Sequence, residues 1–406
     1  MPERLRALIL APHLNRDGLG EVYSIFQWVA ALSERVDLTV ITLSHEDFLS
    51  AQLPGVRVIS LREPKFLRRA ARLNAVAKPW LPVFFRQARR WIKARCAEGD
   101  SWDVAHQMLP QAMRYPSPLS GLGLPYVVGP LGGALETPPG FQSEMTGNAL
   151  VNRLRGLDRW RLRHDPWLRR GYEEADLVLG VAPYIEEILR DCNVRLKRFE
   201  PVLERAHDGT MHAVDRTSGP GEAHLLHVGR VIRTKGLRDV IRALGHLKDM
   251  PGVRLTSAGD GPDLDACRKE AQSLGIADKV TFLGRVPREH VDQLYATADV
   301  FCFPSFREPM GGVFFEAMEY SLPVIAADCG GPAFILDDAS AIKLSVDTPA
   351  DFAKAIADAV RALANDPGRR HTMGAAAAER LRSFGNWNDR AAHLERLYRE
   401  ILTRRA

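Results

Sequence analysis

An alternation of short apolar segments with stretches of helical spacing constrains the fold more than any other feature of the chain. In the second half, residues 224–229 and 253–258 have the composition of strands, and residues 236–248 between them carry apolar side chains at helical spacing. Short apolar strands that alternate with helices are typical of a parallel sheet covered on both faces. The sequence therefore predicts an α/β fold.

The alternation runs through the chain twice. Residues 192–223 interrupt it with a polar stretch that includes a segment rich in Gly, Ser and Asp. A chain of 406 residues is also too long to fold around one ordinary hydrophobic core. We predict two doubly wound domains, residues 1–195 and 196–385, whose strand ends face a central cleft. The predicted strands lie at 4–10, 36–43, 56–60, 102–106, 125–129, 176–180, 224–229, 253–258, 279–283, 299–303, 322–327 and 341–345.

The net charge of +5 is unevenly distributed. Residues 62–95 hold eleven Lys or Arg and one acid, and residues 153–170 hold seven Arg; Trp residues are interleaved in both runs. Such segments suit an anionic membrane surface, phosphorylated substrates or nucleic acid. The alternative is a solvated helix face over a normal core. We favour membrane contact over nucleic acid as the partner.

Five cysteines are scattered without C-x-x-C spacing, which argues against a zinc site and fits a reducing compartment. We expect a cytoplasmic protein, in peripheral contact with the inner face of the plasma membrane if the basic runs bind lipid. The acids of D-L-D at 263–265 stand at the start of an apparent helix, where acids cap, so no metal site is predicted.

A predicted anion site follows the strand at 224–229. Gly229 ends the strand, Arg230 and Lys235 lie in a short loop, and Gly236 precedes a helix. Cations beside a helix N-terminus bind anions strongly, because free N–H groups add to their charge. A diphosphate suits this arrangement. The alternative is a pair of surface cations.

Two glutamates eight positions apart follow the strand at 299–303. Glu308 lies in the loop, Gly311 and Gly312 open the next helix, and Glu316 stands among its apolar residues. Glycines there let a ligand approach the backbone. Glu316 either reaches a ribose diol or has an internal ionic partner, since a buried carboxylate needs one. Glu308 either accepts hydrogen bonds from hydroxyls or caps the helix.

Other strand ends carry similar features. Gly330 starts a Gly-Gly turn after the strand at 322–327, and Gly18 and Gly20 follow the first strand. Successive glycine-rich loops on one sheet edge indicate a nucleotide-diphosphate site. His106 ends another strand and is a candidate for orienting the donor or acting as a base, although a lone histidine is more often structural.

These segments together resemble the retaining glycosyltransferases of family 4, also called glycosyl transferases group 1, which have the GT-B fold of two Rossmann-like domains. The resemblance is carried by G-R-x(4)-K-G at 229–236, E-x(7)-E at 308–316, residues 321–328 and the Gly-Gly turn at 330–331. It is dense over 224–332 and looser in the first half. The final segment, 386–406, resembles the family's last helix, which returns to the first domain.

The resemblance implies roles for these residues. Arg230 and Lys235 hold the donor diphosphate, Glu308 and the Gly311 backbone hold the donor sugar, and Glu316 takes the ribose hydroxyls. We therefore assign Arg230, Lys235 and Glu308 as catalytic. The remaining donor-binding residues are Gly18, Gly20, Gly229, Gly311, Gly312, Glu316 and Gly330.

Two departures from the family pattern affect this assignment. Many relatives carry a histidine after the strand equivalent to 125–129, where this chain has Gly129 and Pro130. The backbone N–H groups of Gly132 and Gly133 are candidates to replace it. Relatives often have an acid after the Gly-Gly turn, whereas this chain has Pro332 there.

The expected function is metal-independent, retaining transfer of a sugar from a nucleotide sugar to a hydroxyl of a glycan or lipid-linked acceptor, in bacterial cell-surface polysaccharide synthesis. No cofactor is expected besides the donor substrate. A non-hydrolysing sugar-nucleotide epimerase and a non-catalytic sugar-nucleotide-binding subunit remain alternatives. A nucleic-acid binder would have no use for the Glu308–Glu316 arrangement.

Overall fold

The computed structural model of the protein describes residues 4–18, 20–62, 80–145 and 149–405. It divides into two compact units. Unit 1 contains residues 1–134, 149–206 and 386–406, and unit 2 contains residues 135–148 and 207–385. Part of the basic run at 62–95 lies outside the described residues.

Unit 1 is built on a parallel sheet. Apart from the two edge strands, which are partly exposed, its strands are rich in Val, Ile and Leu and are almost wholly buried, as expected for strands covered on both faces. The order in the sheet is β3-β2-β1-β4-β5-β6-β7. The strands are β1 (Arg6–Leu10), β2 (Asp37–Thr42), β3 (Arg57–Ser60), β4 (Val104–Gln107), β5 (Tyr126–Leu131), β6 (Leu177–Gly180) and β7 (Phe199–Pro201). The helices are α1 (Glu21–Ser33), α2 (Glu46–Gln52), α3 (Trp80–Ala97), α4 (Ala149–His164), α5 (Pro166–Glu173) and α6 (Tyr184–Asp191).

Unit 2 repeats the arrangement with the order β10-β9-β8-β11-β12-β13. Its strands are β8 (Ala223–Val228), β9 (Val253–Ala258), β10 (Val280–Gly284), β11 (Val300–Phe303), β12 (Val324–Ala327) and β13 (Ala341–Leu344). Its helices are α7 (Leu237–Gly245), α8 (Leu264–Ser273), α9 (Arg288–Thr297), α10 (Gly312–Glu319), α11 (Gly330–Ile335), α12 (Pro349–Asn365) and α13 (Pro367–Ser383). The predicted α/β fold of two doubly wound domains is confirmed.

The last helix, α14 (Trp387–Arg405), lies in unit 1. Its apolar side chains, among them Leu394 and Tyr398, join the core that α1 forms with one face of the sheet. On the surface, the Arg35 guanidinium pairs with Glu395 at 2.9 Å. The helix is therefore an integral part of unit 1.

The division between the units differs from the predicted boundary at residue 195. Strand β7 was not predicted, and it pairs with β6 so that the sheet of unit 1 extends past residue 195. The indole N–H of Trp28 also donates to the Glu204 carbonyl at 2.9 Å. Residues 135–148 were assigned to the first domain, but they lie in unit 2, where Phe141 is fully buried in the core.

In the described part of the chain, no helix combines the length and apolar character that crossing a membrane requires.

Candidate functional site

The candidate site lies at the carboxyl edge of the unit 2 sheet. Strands β8 and β11 are hydrogen-bonded neighbours, although they are not consecutive in the chain. In an open parallel sheet this is the topological switch point, where the connections on either side leave in opposite directions and a crevice forms outside the strand ends. The loops that follow these two strands, residues 229–236 and 304–311, therefore meet there.

Lys235 and Glu308 come together at this point. The Lys235 ammonium group forms an ion pair with one carboxylate oxygen of Glu308, and their side chains are only 12% and 10% exposed. The ammonium also lies 5.7 Å from the centre of the Phe303 ring. Two residues predicted to serve one ligand are thus in direct contact.

Backbone contacts fix the two loops to each other. The hydroxyl of Ser305 and the amide of Phe306 both donate to the Thr234 carbonyl, at 3.0 and 3.1 Å. Gly236 has a φ of 80°, and a Cβ there would lie 2.3 Å from the Pro304 carbonyl oxygen. Only glycine permits this approach, so Gly236 is explained by the packing of one loop on the other.

Arg230 differs from Lys235 in its surroundings. Its side chain is exposed and makes no hydrogen bond or ion pair with residues in the described ranges. Gly229, before it, directly follows β8 and has a φ of 151°. The loop therefore presents one exposed cation, Arg230, beside one cation that is already paired.

A third cation of the same loop, Arg233, was missed by sequence reasoning. Its guanidinium is buried and pairs with both oxygens of Asp239 at 2.6 and 2.8 Å, and with Glu144 at 2.6 Å. Burial alone would raise the pKa of Glu144, but Arg233 and Arg242 lower it below its usual value. No local pattern marks Glu144 as a partner, because it is 89 residues away in the sequence.

The N-terminus of α10 contributes backbone donors near Glu308. Gly311 precedes the helix with a φ of 91°. The amide groups of Gly312 and Val313 have no acceptor among the described residues, as is usual for the first turn of a helix. These amides are suitable donors to an anionic or hydroxyl-bearing ligand.

Gly330 has a structural explanation in addition to its predicted role. A Cβ at Gly330 would lie 2.5 Å from the Glu308 carbonyl oxygen. That same carbonyl accepts the amide N–H of Gly331 at 2.9 Å. The Gly-Gly turn therefore allows its backbone to approach the Glu308 loop, and it holds that loop in place.

Glu316 has internal partners. It is buried, its Oε2 atom accepts the Tyr295 hydroxyl at 3.1 Å, and its Oε1 atom lies 2.9 Å from the Arg288 guanidinium. The internal ionic partner, one of the two alternatives for Glu316, is therefore present. Its predicted contact with ribose remains a prediction.

His106 is fully buried in unit 1. Its Nε2 atom donates to the Gly129 carbonyl at 2.8 Å, and its Nδ1 atom lies 2.6 Å from the Tyr398 hydroxyl. The carbonyl can only accept, so the neutral ring carries its proton on Nε2 and accepts from Tyr398 on Nδ1. Burial lowers the pKa of His106 to about 4. The candidate role of His106 in orienting the donor or acting as a base is therefore wrong, because both of its ring nitrogens are hydrogen-bonded inside the core.

The other predicted glycines of unit 1 are also described. Gly132 and Gly133 donate their amides to the Gln111 carbonyl at 3.0 Å and to the Tyr184 hydroxyl at 3.2 Å. They are therefore engaged, in contrast to the expectation that they replace a missing histidine. The Gly18 amide donates to the Asn15 carbonyl at 3.2 Å, and Gly20 precedes α1.

The comparisons with known proteins agree with this geometry. The family described as Glycosyl transferases group 1 matches residues 214–380, and the Glycosyl transferase 4-like domain matches residues 20–202. Two similar solved structures are Anabaena HepE with UDP and glucose, at 16% identity and a TM-score of 0.62, and WaaG, involved in lipopolysaccharide biosynthesis, at 15% and 0.62. The HepE match covers 98% of this chain and 100% of that one, and the WaaG match covers 97% and 99%.

Two curated relatives illustrate the range of similar proteins. A D-inositol 3-phosphate glycosyltransferase from Streptomyces bingchenggensis is 30% identical over 57% of this chain and 51% of its own length. The lipopolysaccharide core biosynthesis glycosyltransferase LpsE from Rhizobium meliloti is 29% identical over 46% of this chain and 54% of its own. The matched regions thus span about half the length of these relatives.

The two doubly wound units and the charged loops at a switch point define a protein of the GT-B class. Within that class, residues 214–380 belong to the family described as Glycosyl transferases group 1, and residues 20–202 match the Glycosyl transferase 4-like domain.

Proposed function

We propose that this chain transfers a sugar from a nucleotide-diphosphate sugar to a hydroxyl group of a glycan or lipid-linked acceptor, with retention of the anomeric configuration. The observation that carries the proposal is the meeting of Lys235 and Glu308 at the switch point of unit 2. A cation for the leaving diphosphate and a carboxylate for sugar hydroxyls then act on adjacent parts of one donor. Family membership supports the same reaction.

The main chemical requirement of the reaction is to stabilise the leaving diphosphate. When the bond between the sugar and the diphosphate breaks, negative charge grows on the diphosphate oxygens. Arg230 and Lys235 stabilise that charge, and they accelerate transfer to the extent that their interaction strengthens in the transition state. The amides of Gly312 and Val313 add donors of fixed direction.

The ion pair offsets the cost of holding the Lys235 side chain nearly buried before the donor arrives. A nearly buried ammonium group is costly to desolvate, and Glu308 offsets that cost. When the diphosphate binds, it becomes a second anionic partner for Lys235. One oxygen of Glu308 can then accept a hydrogen bond from a sugar hydroxyl while the other remains near the ammonium.

The acceptor class is suggested by the relatives. LpsE is described as acting in lipopolysaccharide core biosynthesis, and another relative as a GDP-mannose-dependent phosphatidylinositol monomannoside mannosyltransferase. We infer an acceptor of that kind, a growing cell-surface glycan or a lipid carrying one, in bacterial polysaccharide synthesis.

A screen of nucleotide sugars for nucleotide release, with and without a membrane extract as acceptor, tests the function. We expect nucleotide release that requires both the nucleotide sugar and the membrane extract. Release should be lost in the Lys235→Met variant and should persist in the presence of EDTA. Proton NMR of the product should show the donor's anomeric configuration. An epimerised sugar from donor alone would favour the epimerase, and binding without turnover would favour a non-catalytic subunit.

We also infer contact with an anionic membrane surface through residues 157–170. Trp167 and Trp160 are 78% and 55% exposed, and Leu157 is exposed beside them. Arg163 and Arg170 are exposed in the same segment. Aromatic and basic side chains on a surface helix suit the headgroup region of a bilayer.

The basic run at residues 62–95 contributes less to the inference of membrane contact. In its described part, α3, the side chains of Phe84, Phe85 and Ile92 are buried in the core of unit 1. This is the alternative of a solvated helix face over a normal core. The membrane proposal therefore depends on the residues around Trp160 and Trp167.

Flotation with vesicles tests the membrane contact. We expect the protein to float with vesicles that contain phosphatidylglycerol and not with pure phosphatidylcholine. The double substitution Trp160→Ser and Trp167→Ser should abolish flotation, whereas Phe48→Ser, an exposed aromatic outside the segment, should leave it intact. Equal flotation of all three proteins would contradict the inference.

A further inference from the structure

The carboxylate of Glu316 is held by two side chains of different character. Tyr295 donates its hydroxyl to Oε2 at 3.1 Å, and Arg288 approaches Oε1 at 2.9 Å. Both belong to α9, which precedes β11 in the chain. The position of the carboxylate is therefore set by a neighbouring helix as well as by α10.

Tyr295 is the rigid partner. It is fully buried, and its ring packs against Phe301 and Tyr320 with centroid separations of 5.7 and 5.6 Å. A tyrosine ring enclosed in this way has one accessible position for its hydroxyl, and a buried hydroxyl requires a partner. The bond to Oε2 therefore fixes the direction of the Glu316 carboxylate.

Arg288 is the exchangeable partner. Its side chain is 55% exposed, and it also contacts Asp292 at 3.0 Å. Glu316 is only 9% exposed, so losing Arg288 without a replacement would leave a buried carboxylate oxygen unpaired. A ligand whose hydroxyl groups donate to Oε1 can replace the exposed Arg288 without that penalty, while the Tyr295 bond remains.

We propose that Tyr295 is a positioning residue that makes this site specific for ribonucleotides. It orients Glu316 so that the carboxylate accepts both hydroxyls of a ribose, and the protein thereby prefers ribonucleoside-diphosphate sugars over their 2′-deoxy counterparts. This inference rests on the proposed function, since it concerns the nucleotide part of the same donor.

The physical basis is the cost of an unmatched polar group. A carboxylate has about four acceptor positions, so it can hold a vicinal diol beside the Tyr295 bond. A 2′-deoxyribose offers one hydroxyl fewer, which leaves part of a buried, charged acceptor without a donor. A site built around such hydrogen bonds discriminates strongly against a ligand that lacks one of them.

Calorimetric binding of nucleoside diphosphates tests the inference without requiring the acceptor. UDP, GDP and ADP are compared with dUDP, dGDP and dADP on the full chain. We expect the preferred ribonucleotide to bind about tenfold or more tightly than its deoxy form. In Tyr295→Phe this ratio should fall to within about threefold, because a mobile carboxylate no longer matches both hydroxyls.

Tyr320→Phe is the matched control. It makes the same chemical change on the ring that stacks against Tyr295, but the Tyr320 hydroxyl makes no hydrogen bond with the described residues. Its ribose-to-deoxyribose ratio should equal that of the wild type. If Tyr295→Phe loses its fold by circular dichroism, Glu316→Gln replaces it and should also lower the ratio.

The possible results separate the two proposals. If no nucleoside diphosphate binds the wild-type chain, the proposed function fails and this inference with it. If a nucleotide binds but the wild type does not distinguish ribose from deoxyribose, or if Tyr295→Phe keeps the wild-type ratio, only the positioning role of Tyr295 is overturned.

Discussion

The ammonium group of Lys235 pairs with the carboxylate of Glu308 where the loops after β8 and β11 meet. Both side chains are nearly buried, so water screens their charges poorly. Breaking a pair in this environment costs more stability than the intact pair contributes, because removing one partner leaves the other as an uncompensated charge.

Substituting Lys235 by Met should affect both stability and activity. We expect a loss of about 3 kcal/mol in the free energy of unfolding, because Glu308 is left unpaired. Turnover should fall by about a hundredfold or more, because the diphosphate loses a cation. Urea denaturation and initial rates of nucleotide release measure the two effects.

The double variant Lys235→Met with Glu308→Gln separates these effects. Removing both charges should restore most of the lost stability, while activity stays low. Recovery of activity together with stability would show that the pair is structural and that neither residue serves the reaction.

Arg230→Ala should lower activity without changing stability. The side chain is exposed and unpaired among the described residues, so the free energy of unfolding should change by less than about 0.5 kcal/mol. If Arg230 holds the diphosphate, affinity for the nucleotide should fall about tenfold or more. Arg254 provides the matched control, because it is exposed at the start of β9, at the end of the strand away from the candidate site. Arg254→Ala should leave the affinity for the nucleotide unchanged.

Arg233→Met should lower stability, in contrast to Arg230→Ala, although the two residues lie in the same loop. Its guanidinium holds Asp239, which is fully buried, and Glu144. We expect a loss of about 3–5 kcal/mol in stability, because the buried Asp239 loses both of its short ion-pair contacts and Glu144 keeps only Arg242 as a partner. Thermal denaturation of the variant measures it, and a loss below about 1 kcal/mol would contradict this account.

Much of the fold could be predicted from the sequence because its signals are local. Twelve of the thirteen strands in the described residues coincide with a predicted segment, since each is a short apolar run between turn residues. Strand β7 was missed because Phe199–Pro201 is short, half-buried and contains proline. The placement of residues 135–148 was missed because it depends on long-range contacts, such as that between Arg233 and Glu144.

The candidate site shows the same limit. Lys235 and Glu308 were predicted as parts of one site, and the sheet order places them in contact. The internal partners of Glu316 could not be identified, because Tyr295 stands 21 positions earlier in a helix whose packing the sequence does not specify. His106 was ambiguous for the same reason, since its partner Tyr398 is 292 residues away.

His106 provides a prediction about pH. Its pKa is lowered by burial from 6.5 to about 4, so the folded protein keeps the ring neutral while the unfolded chain binds a proton below pH 6.5. The stability from the neutral, buried ring is therefore fully present above pH 6.5 and is lost as the pH falls toward 4. The free energy of unfolding of unit 1 should decrease across this interval.

A substitution that removes the imidazole tests whether His106 causes this dependence of stability on pH. In His106→Gln the side chain can still donate to the Gly129 carbonyl, but it does not titrate. Its stability should be lower than that of the wild type at pH 7, and the difference between the two proteins should shrink as the pH approaches 4. Urea denaturation at several pH values measures the difference, and a gap that stays constant would mean that the ring does not become protonated on unfolding.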